Sequence, residues 1–471
     1  MPEQDKFSYK VHFEPRPDIH PALDFVEGVA YISLPLDIDV PVTKKVKGED
    51  KIVGTRKARR LVTITSDRRY FETSEEAFMK RGLCLVGAVS VPQRRWSLDS
   101  IHDFIEGKIE KEPTFWGTFG MIKQQYKHYM DLREENVYSF TSLWVIGTYF
   151  FPIFDAYPYA FNHGSKATGK TKMLSVTQQM AFNSISSGNI STSSVFRLIE
   201  GSRATLLIDE AEKLGASDRG QEFRNILNAS YKPGNPVFRS EKTAKEQFIV
   251  ASFDAFSPKM LANIAGLEDV IASRAIPFTL LRTVNTDIAN REIDVNNKMW
   301  QEIRDRLYLL AMLKWKEVKY AYNQVEPVEG ISAREWELWR PIIALARVCD
   351  NTGNLEKEMI ELGIKKAKDK LIESVVESGD TVLLKVLVVL VTVPGYYALK
   401  EVKSRMIESY GEPFKWLNSE WIGRAMKRLD FTEKRRVGTG AEYYLTPDGV
   451  KSIAERMGIS PNEGKTIDME I

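Results

Sequence analysis

NHGSKATGKT, Asn162 to Thr171, decides how the rest of the chain is read. A glycine, four residues and then Gly-Lys-Thr make a loop whose backbone N–H groups can turn inward around phosphates. Gly164 and Gly169 allow the turn, and Ser165, Lys166, Ala167 and Thr168 span it. Lys170 would reach the β and γ oxygens of a nucleotide, and the Thr171 hydroxyl would ligate Mg²⁺. Lys166 is most simply a solvent-facing residue. AYPYAFN, just before the loop, reads as a short buried strand, and Thr171 to Phe182 as the helix that the loop opens. The positive end of that helix favours an anion. Strand, loop and helix in this order separate a nucleotide site from a glycine-rich surface turn.

ATLLIDEAEKL supplies the second element. Thr205 and the apolar run Leu206 to Ile208 make a buried strand that delivers Asp209 and Glu210 at its end. Asp209 can hold Mg²⁺ through its water shell, and Glu210 can polarise an attacking water. A separation of about 40 residues from the loop suits one intervening helix and strand of a βαβ system. Together the two elements predict ATP hydrolysis with Mg²⁺, beyond nucleotide binding alone.

The third element runs from Gly234 to Leu280. NPVFRSE and QFIVASFDAF read as the arms of a β-hairpin, with Lys242 and Lys245 near its tip. PKMLAN is the next sheet strand and ends in Asn263, which can orient the lytic water. Ser273-Arg274 precede the strand AIPFTL, and an exposed arginine there can reach a neighbour's γ-phosphate.

With these residues in view, Tyr157 to Asp350 resembles an AAA+ ATPase of the pre-sensor-1 hairpin group. Within that group it is similar to the MCM and superfamily 3 replicative helicases and to helicase-like ATPases of archaeal plasmids and viruses. EKTAKE, SPKMLAN and IASRAIPF line up with the family's hairpin, sensor 1 and arginine-finger motifs. SAREWELWRPIIALA resembles its sensor 2 helix and points to Arg334, with Arg340 as the alternative. STSSVFRLIEGSRATLLIDEAEKL matches the lead into its acidic strand. The resemblance implies catalytic roles for Lys170, Glu210, Asn263, Arg274 and Arg334, assembly into a hexameric ring, and hairpin lysines that grip nucleic acid in the pore. Two departures stand out. MCM proteins usually carry a zinc-binding N-terminal domain, whereas here five histidines are scattered and two cysteines isolated. The sensor asparagine is usually followed by proline and here by Ile264, which leaves Ser252 and Ser257 as alternatives.

The expected fold class is α/β: a P-loop AAA+ parallel-sheet module with a helical lid, a β-rich N-terminal domain and a C-terminal winged helix-turn-helix. Residues 1–95 alternate short β-like runs (VAYISLPLDI, RRLVTITS, GLCLVGAVSV) with Pro and Gly breaks. Residues 96–150 are a helical connector, 151–284 the ATPase core, 285–375 the helical lid, 376–459 the winged helix and 460–471 a polar tail. In the N-terminal part, Lys44 to Arg60 holds eight basic residues against two acids. It reads equally as a hairpin touching a nucleic-acid backbone or as a solvated loop. Asp37 and Asp39 could pass for a primase metal pair, but the further acids and histidine motif of such a site do not follow them. Val137 to Phe154 is uncharged and long enough to weigh as a membrane span. Its Ser, Thr, Gly and Pro, and its run into the strand before the loop, favour a core segment.

In the C-terminal part, NSEWIGRAMKRL presents Arg424, Lys427 and Arg428 on neighbouring turns, with Leu417, Trp421, Ile422, Met426 and Leu429 on the side facing a core. The hairpin TEKRRVGTGAEYYLT adds Lys434, Arg435 and Arg436. In a winged helix the third helix enters the major groove and the wing touches phosphates, so DNA is the expected partner. The net charge of +2 confines any such contact to local patches. Apolar content of 43% and charged content of 28% are those of a globular chain. Two unpaired cysteines and an N-terminus without an apolar signal fit a cytoplasmic protein. Two function classes remain: a ring-shaped DNA translocase or helicase, and an ATP-switched DNA binder such as an initiator, helicase loader or transcriptional regulator. Lys242 and Lys245 discriminate between them, because a motor needs those charges in its pore.

Overall fold

The computed structural model describes residues 15–46, 49–87, 95–187, 192–209, 218–242, 248–263, 267, 269–331, 333–377, 379–410, 417–438, 440–457 and 459. The chain forms two compact units, Met1–Ile364 and Lys365–Ile471.

The first unit opens with β1 (Asp18–Ile19), β2 (Leu23–Val26), β3 (Val29–Val46), β4 (Glu49–Thr65), β5 (Tyr70–Glu72), α1 (Glu75–Met79) and β6 (Cys84–Leu85). β2, β3, β4 and β5 form an antiparallel sheet in that order. Alternation along β3 divides its residues between two faces. Ala30, Ile32 and Leu34 join the main core, while Tyr31 packs with Ile19, Phe78 and Leu83. Ser33, Thr63 and Thr73 satisfy one another through hydroxyl bonds of 2.8 Å. The run VAYISLPLDI, which includes Pro35, does not break at Pro41 either: β3 continues to Val46 and pairs with β4 to the end. Ser33, of the same parity, donates its N–H away from β4 to Pro21 O. The two proline nitrogens therefore also face outward, where the ladder needs no donor. Beyond Leu34 and Leu61 the two strands continue as a two-stranded ribbon, partly exposed to exposed over 35–42 and 52–60. Of GLCLVGAVSV, Cys84 and Leu85 are strand, and its last residues lie outside the described ones.

Three helices follow, α2 (Leu98–Glu106), α3 (Phe115–Tyr129) and α4 (Glu135–Gly147). α4 holds most of the uncharged Val137–Phe154 segment, and Val137 to Gly147 are buried without exception. Trp144 Nε1 donates to Pro158 O (2.9 Å), and Tyr157 OH donates to Trp144 O (2.6 Å). A Cβ at Gly147 would stand 2.1 Å from the Tyr157 hydroxyl oxygen, so glycine is what lets the ring in. The segment is core. Among the described residues, no helix is long and apolar enough to cross a membrane.

The central layer comprises β7 (Tyr159–His163), α5 (Lys170–Met180), β8 (Ile185–Ser187), α6 (Thr192–Ser202), β9 (Leu206–Ile208), α7 (Asp218–Ala229), the hairpin β10 (Val237–Lys242) and β11 (Phe248–Phe253), then β12 (Lys259–Asn263), α8 (Asp269–Ala272) and β13 (Ala275–Thr279). Its five-stranded sheet has the order β13-β7-β12-β9-β8, and each neighbouring pair is parallel. The mixed α/β class with a parallel sheet is as expected. Near-continuous apolar strands such as LLI and MLA suit a sheet covered on both faces.

Helices α9 (Thr286–Asn290), α10 (Lys298–Leu313), α11 (Trp315–Gln324), α12 (Ala333–Cys349) and α13 (Asn354–Glu377) follow. α10 and α12 pack on α3 and α4, so helices before and after the sheet share one core. The second unit contains α14 (Gly379–Leu390), β14 (Gly395–Ala398), α15 (Leu399–Tyr410), α16 (Ser419–Arg428), β15 (Lys434–Val437), β16 (Gly440–Leu445) and α17 (Pro447–Arg456). Its three strands form an antiparallel sheet β14-β16-β15. Leu383, Leu387, Val402, Ile422, Met426 and Leu445 are among its core residues.

The N-terminal sheet is tied to the end of α6 by His20 and Arg203. His20 Nε2 is hydrogen-bonded to Glu200 O, and its Nδ1 accepts from Ala22 N–H (3.2 Å). Arg203 donates to Leu23 O (2.5 Å) and lies 3.5 Å from Asp24. With both ring nitrogens used by the neutral imidazole, burial and the Arg203 charge hold His20 well below its usual pKa. The unfolded chain takes up this proton near about 6.5 and the folded one resists it, so the contribution is full above that pH and lost as pH falls below it. Thermal midpoints should therefore decline more steeply from pH 6.5 to 5 for the natural chain than for His20→Gln, in which this titration is removed.

Candidate functional site

The loop 164–169 closes between β7 and α5. Ala167 and Gly169 take left-handed backbone angles, φ 62° and 86°. Met173 N–H donates to Gly169 O (2.8 Å) as the helix begins, and the amides before it point out of the helix end, as an anion site requires. Lys170 Nζ donates to Gly164 O (2.6 Å) and Ser165 O (2.7 Å), which bends the side chain back over the loop. Lys166 is exposed. A Cβ at Gly164 would meet Leu280 O at 2.3 Å and Thr168 Oγ1 at 2.9 Å. The loop thus fits a polyphosphate: bare amides, an ammonium at the mouth, and a cradle that only glycine permits.

A side-chain bond joins the end of the acidic strand to the start of the helix that follows this loop. Thr171 Oγ1 donates to Asp209 Oδ2 at 2.6 Å. A hydroxyl and a carboxylate oxygen so close to the loop are suitable donors for Mg²⁺. Glu210 lies outside the described residues. Asn263, nine-tenths buried or more, ends β12 in register with His163, the last residue of β7. Leu261 of β12 pairs with Ile208 of β9. β12 therefore stands between the loop strand and the acidic strand, and Asn263 sits at the edge they share. Ser257 lies before the other end of β12, held by Lys259, and Ser252 is on the hairpin.

Arg274 and Arg334 are elsewhere. Arg274 precedes β13, whose first residue pairs with Tyr159 and whose last pairs with His163. At the rise of a parallel strand, five residues separate Arg274 from the loop edge by about 16 Å. Its Nε donates to Asn228 O (2.9 Å) and its Nη1 to Val270 O. Arg334 Nη1 donates to Ser273 Oγ (2.7 Å). Both guanidiniums lie over the Tyr231 ring, 5.0 Å and 5.8 Å from its centroid. Burial and the Arg334 charge both lower the pKa of Arg274. Arg340, in contrast, is tied to Tyr322 O (3.1 Å) and approaches Asp155 (3.6 Å).

The hairpin emerges between α7 and β12. Lys242 closes its ladder opposite Phe248, and Lys245 lies outside the described residues. In the second unit Arg424, Lys427 and Arg428 are exposed on α16, while Ile422 and Met426 are buried, and Trp421 is partly buried. Arg428 is bidentate to Asp380 (2.6 and 3.0 Å), and Arg424 lies 3.7 Å from Glu420. Arg435 pairs with Glu442 (2.7 Å) and covers the Tyr396 ring at 3.9 Å. Exposed pairs of this kind are worth about 1 kcal/mol or less, so a phosphate can compete for them. Arg436 is exposed on β15.

Several residues at or near the site carry no sequence signal. Tyr231 follows α7 in the unpatterned stretch ASYKPG. Lys259, wholly buried, donates to Ser230 O, Ala255 O, Ser257 O and Ser257 Oγ over 3.0–3.3 Å, and burial pulls its pKa down to about 7. Arg95 caps the far end of α5 by donating to Gln178 O, Gln179 O and Ala181 O, and Arg304 joins it at Gln179 O.

No family model matches the chain, and no curated protein matches it. Among solved structures it is similar to a full-length MCM homolog from Methanopyrus kandleri, at 9% identity over 72% of this chain and 78% of that one, with a TM-score of 0.35. It is also similar to the C-terminal region of NrS-1 in an apo form (11% identity, 82% and 94% covered, TM-score 0.32). A third match is Drosophila ORC bound to DNA (13%, 71% and 91%, TM-score 0.21). Scores this low do not define a family for the chain.

Gly164→Ala tests the cradle. The backbone carbonyl at 2.3 Å cannot move aside cheaply, so the loop should distort at a cost of about 1–3 kcal/mol. Binding of a fluorescent ATP analogue should weaken by about tenfold or more, with little change in the far-UV circular dichroism.

Proposed function

We propose that the chain is an AAA+-type ATPase that acts on DNA as a ring-shaped translocase of the helicase kind, with a C-terminal winged helix-turn-helix. One observation carries the reading. Thr171, Asp209 and Asn263 gather at the edge of the sheet that bears the phosphate loop, while Arg274 and Arg334 gather at the opposite edge. Neither arginine can reach its own loop across about 16 Å of strand. A second copy that sets its arginine edge against the first copy's loop completes the site, and repetition of that head-to-tail contact closes a ring, a hexamer in this reading.

Mg²⁺–ATP, when bound, supplies the phosphoanhydride that is cleaved and the metal charge that offsets its oxygens. Lys170 turns from the loop carbonyls to the phosphates, with Gly164 to Gly169 giving their amides. Thr171 and Asp209 would hold the metal. Glu210 accepts the proton of the attacking water, and Asn263 orients that water. Arg274 and Arg334 of the neighbour neutralise the charge that develops. Lys242 and Lys245 grip the DNA backbone and move with the hairpin, which leads into β12, the strand that ends in Asn263. Arg424, Lys427, Arg428, Arg435 and Arg436 contact DNA from the second unit.

ATP hydrolysis measured with and without single-stranded and duplex DNA tests this. The rate should rise with DNA, vanish in Lys170→Ala, and lose its DNA response but not its basal level in Lys242→Ala/Lys245→Ala. A slow rate indifferent to DNA and to the hairpin lysines would replace the motor with an ATP-switched DNA binder, such as an initiator, loader or regulator.

A further inference from the structure

We infer that Tyr231 is a positioning residue for the arginine pair: its ring holds two like-charged guanidiniums side by side for a neighbouring subunit's phosphate. This rests on the reading of Arg274 and Arg334 as a site completed in trans.

Three cations surround this one ring. Arg274 Cζ is 5.0 Å from its centroid, Lys232 Nζ 5.4 Å and Arg334 Cζ 5.8 Å. They are not answered alike. Lys232 has a carboxylate, Glu337, at 2.6 Å. Among the described residues neither arginine is paired with one; their own-chain bonds go to neutral oxygens, Asn228 O, Val270 O and Ser273 Oγ. Two adjacent guanidiniums repel, and the negative face of an aromatic ring offsets part of that without consuming their charge. What is left is a doubly positive, half-exposed site that an outside anion can neutralise.

The ring is buried, and the backbone that carries it is tied down. Tyr231 O accepts from Tyr157 N–H (2.9 Å), immediately before the loop strand. Ser230 O accepts from the buried Lys259 ammonium (3.3 Å), and Ser230 Oγ is bonded to Tyr159 OH (3.0 Å). Tyr159 OH donates in turn to Leu227 O (2.8 Å), and Tyr159 N–H to Arg274 O (3.1 Å). The platform and the arginine that rests on it thus hang from the same strand, β7, that carries the phosphate loop at its other end. Each subunit fixes its offered arginines relative to its own loop through one rigid element.

The test uses the full chain and its ATPase. Tyr231→Leu should lower kcat by about tenfold and leave binding of a fluorescent ATP analogue within about twofold, because the loop edge is untouched. Tyr231→Phe, which keeps the ring, should recover most of the rate. Tyr231→Met, closer in volume, serves if the leucine variant does not fold. Mixing supplies the readout that a merely structural lesion would not move. Tyr231→Leu subunits, with intact loops, should regain hydrolysis when mixed with inactive Lys170→Ala subunits, whose arginine edge is intact. Lost nucleotide affinity, or no recovery on mixing, would make Tyr231 only a packing residue and overturn the inference. If Arg274→Ala abolishes hydrolysis but Tyr231→Leu does not, this inference alone fails. If Arg274→Ala leaves hydrolysis intact, the trans reading fails beneath it.

Discussion

Parallel pairing gives every strand of the central sheet the same direction. All their carboxyl ends therefore lie on one edge and all their amino ends on the other. β7 stands next to the edge strand of this arrangement, bonded to β13 on one side and to the central strand β12 on the other. Everything chemical about the first unit follows from that alignment. The loop leaves the carboxyl end of β7, the carboxylate leaves that of β9, and Asn263 ends the strand between them. The arginines enter at the amino ends. A single layer one strand long separates the loop edge from the arginine edge.

The electrostatics of α5 reinforce this division. Its N-terminus, with free amides, faces the loop. Its C-terminus receives Arg95, which burial deprives of water, together with Arg304. Cations at that end complement the helix dipole and satisfy carbonyls that would otherwise be unpaired. The two arginines come from far apart in sequence, one just before α2 and one from α10. The helix that opens at the phosphate loop is therefore clamped by both flanks of the chain. A buried amine stands at the amino edge of the sheet, where Lys259 sits among carbonyl oxygens.

What could be read beforehand was whatever is local and patterned. Residues 162–171 declare their loop because glycine spacing, lysine and threonine are required together, and LLIDE declares its strand because apolar residues run into an acid. The core-facing side of α16 was legible for the same reason, since Ile422 and Met426 repeat at helical spacing. The strand order was not legible, for nothing local tells β12 to insert between β7 and β9. Nor was Tyr231, whose partners Arg274 and Arg334 lie 43 and 103 positions away in number. The run around Pro35 was legible as a strand but its continuation through Pro41 was not, because a proline breaks a strand only when its nitrogen faces a partner, and that facing depends on a register set by β4. The carboxylates of Asp380 and Glu442 were overlooked for want of the same long-range information, though they hold two of the arginines expected to touch DNA.

Those prolines have a further effect on how the chain behaves in a crowded solution. Among the described residues no strand lies beside the outward side of β3 from Pro35 to Pro41, and a bare strand edge is a template on which another chain can extend the ladder. Of the four outward positions there, 35, 37, 39 and 41, the first and last lack an N–H and the middle two are aspartates. Across the ribbon, the outward positions of β4 include Lys57 and Arg59. An approaching strand would find missing donors on one side and fixed charge on both. The ribbon can thus stay long and uncovered without seeding fibrils, because its edges are unfit for copying.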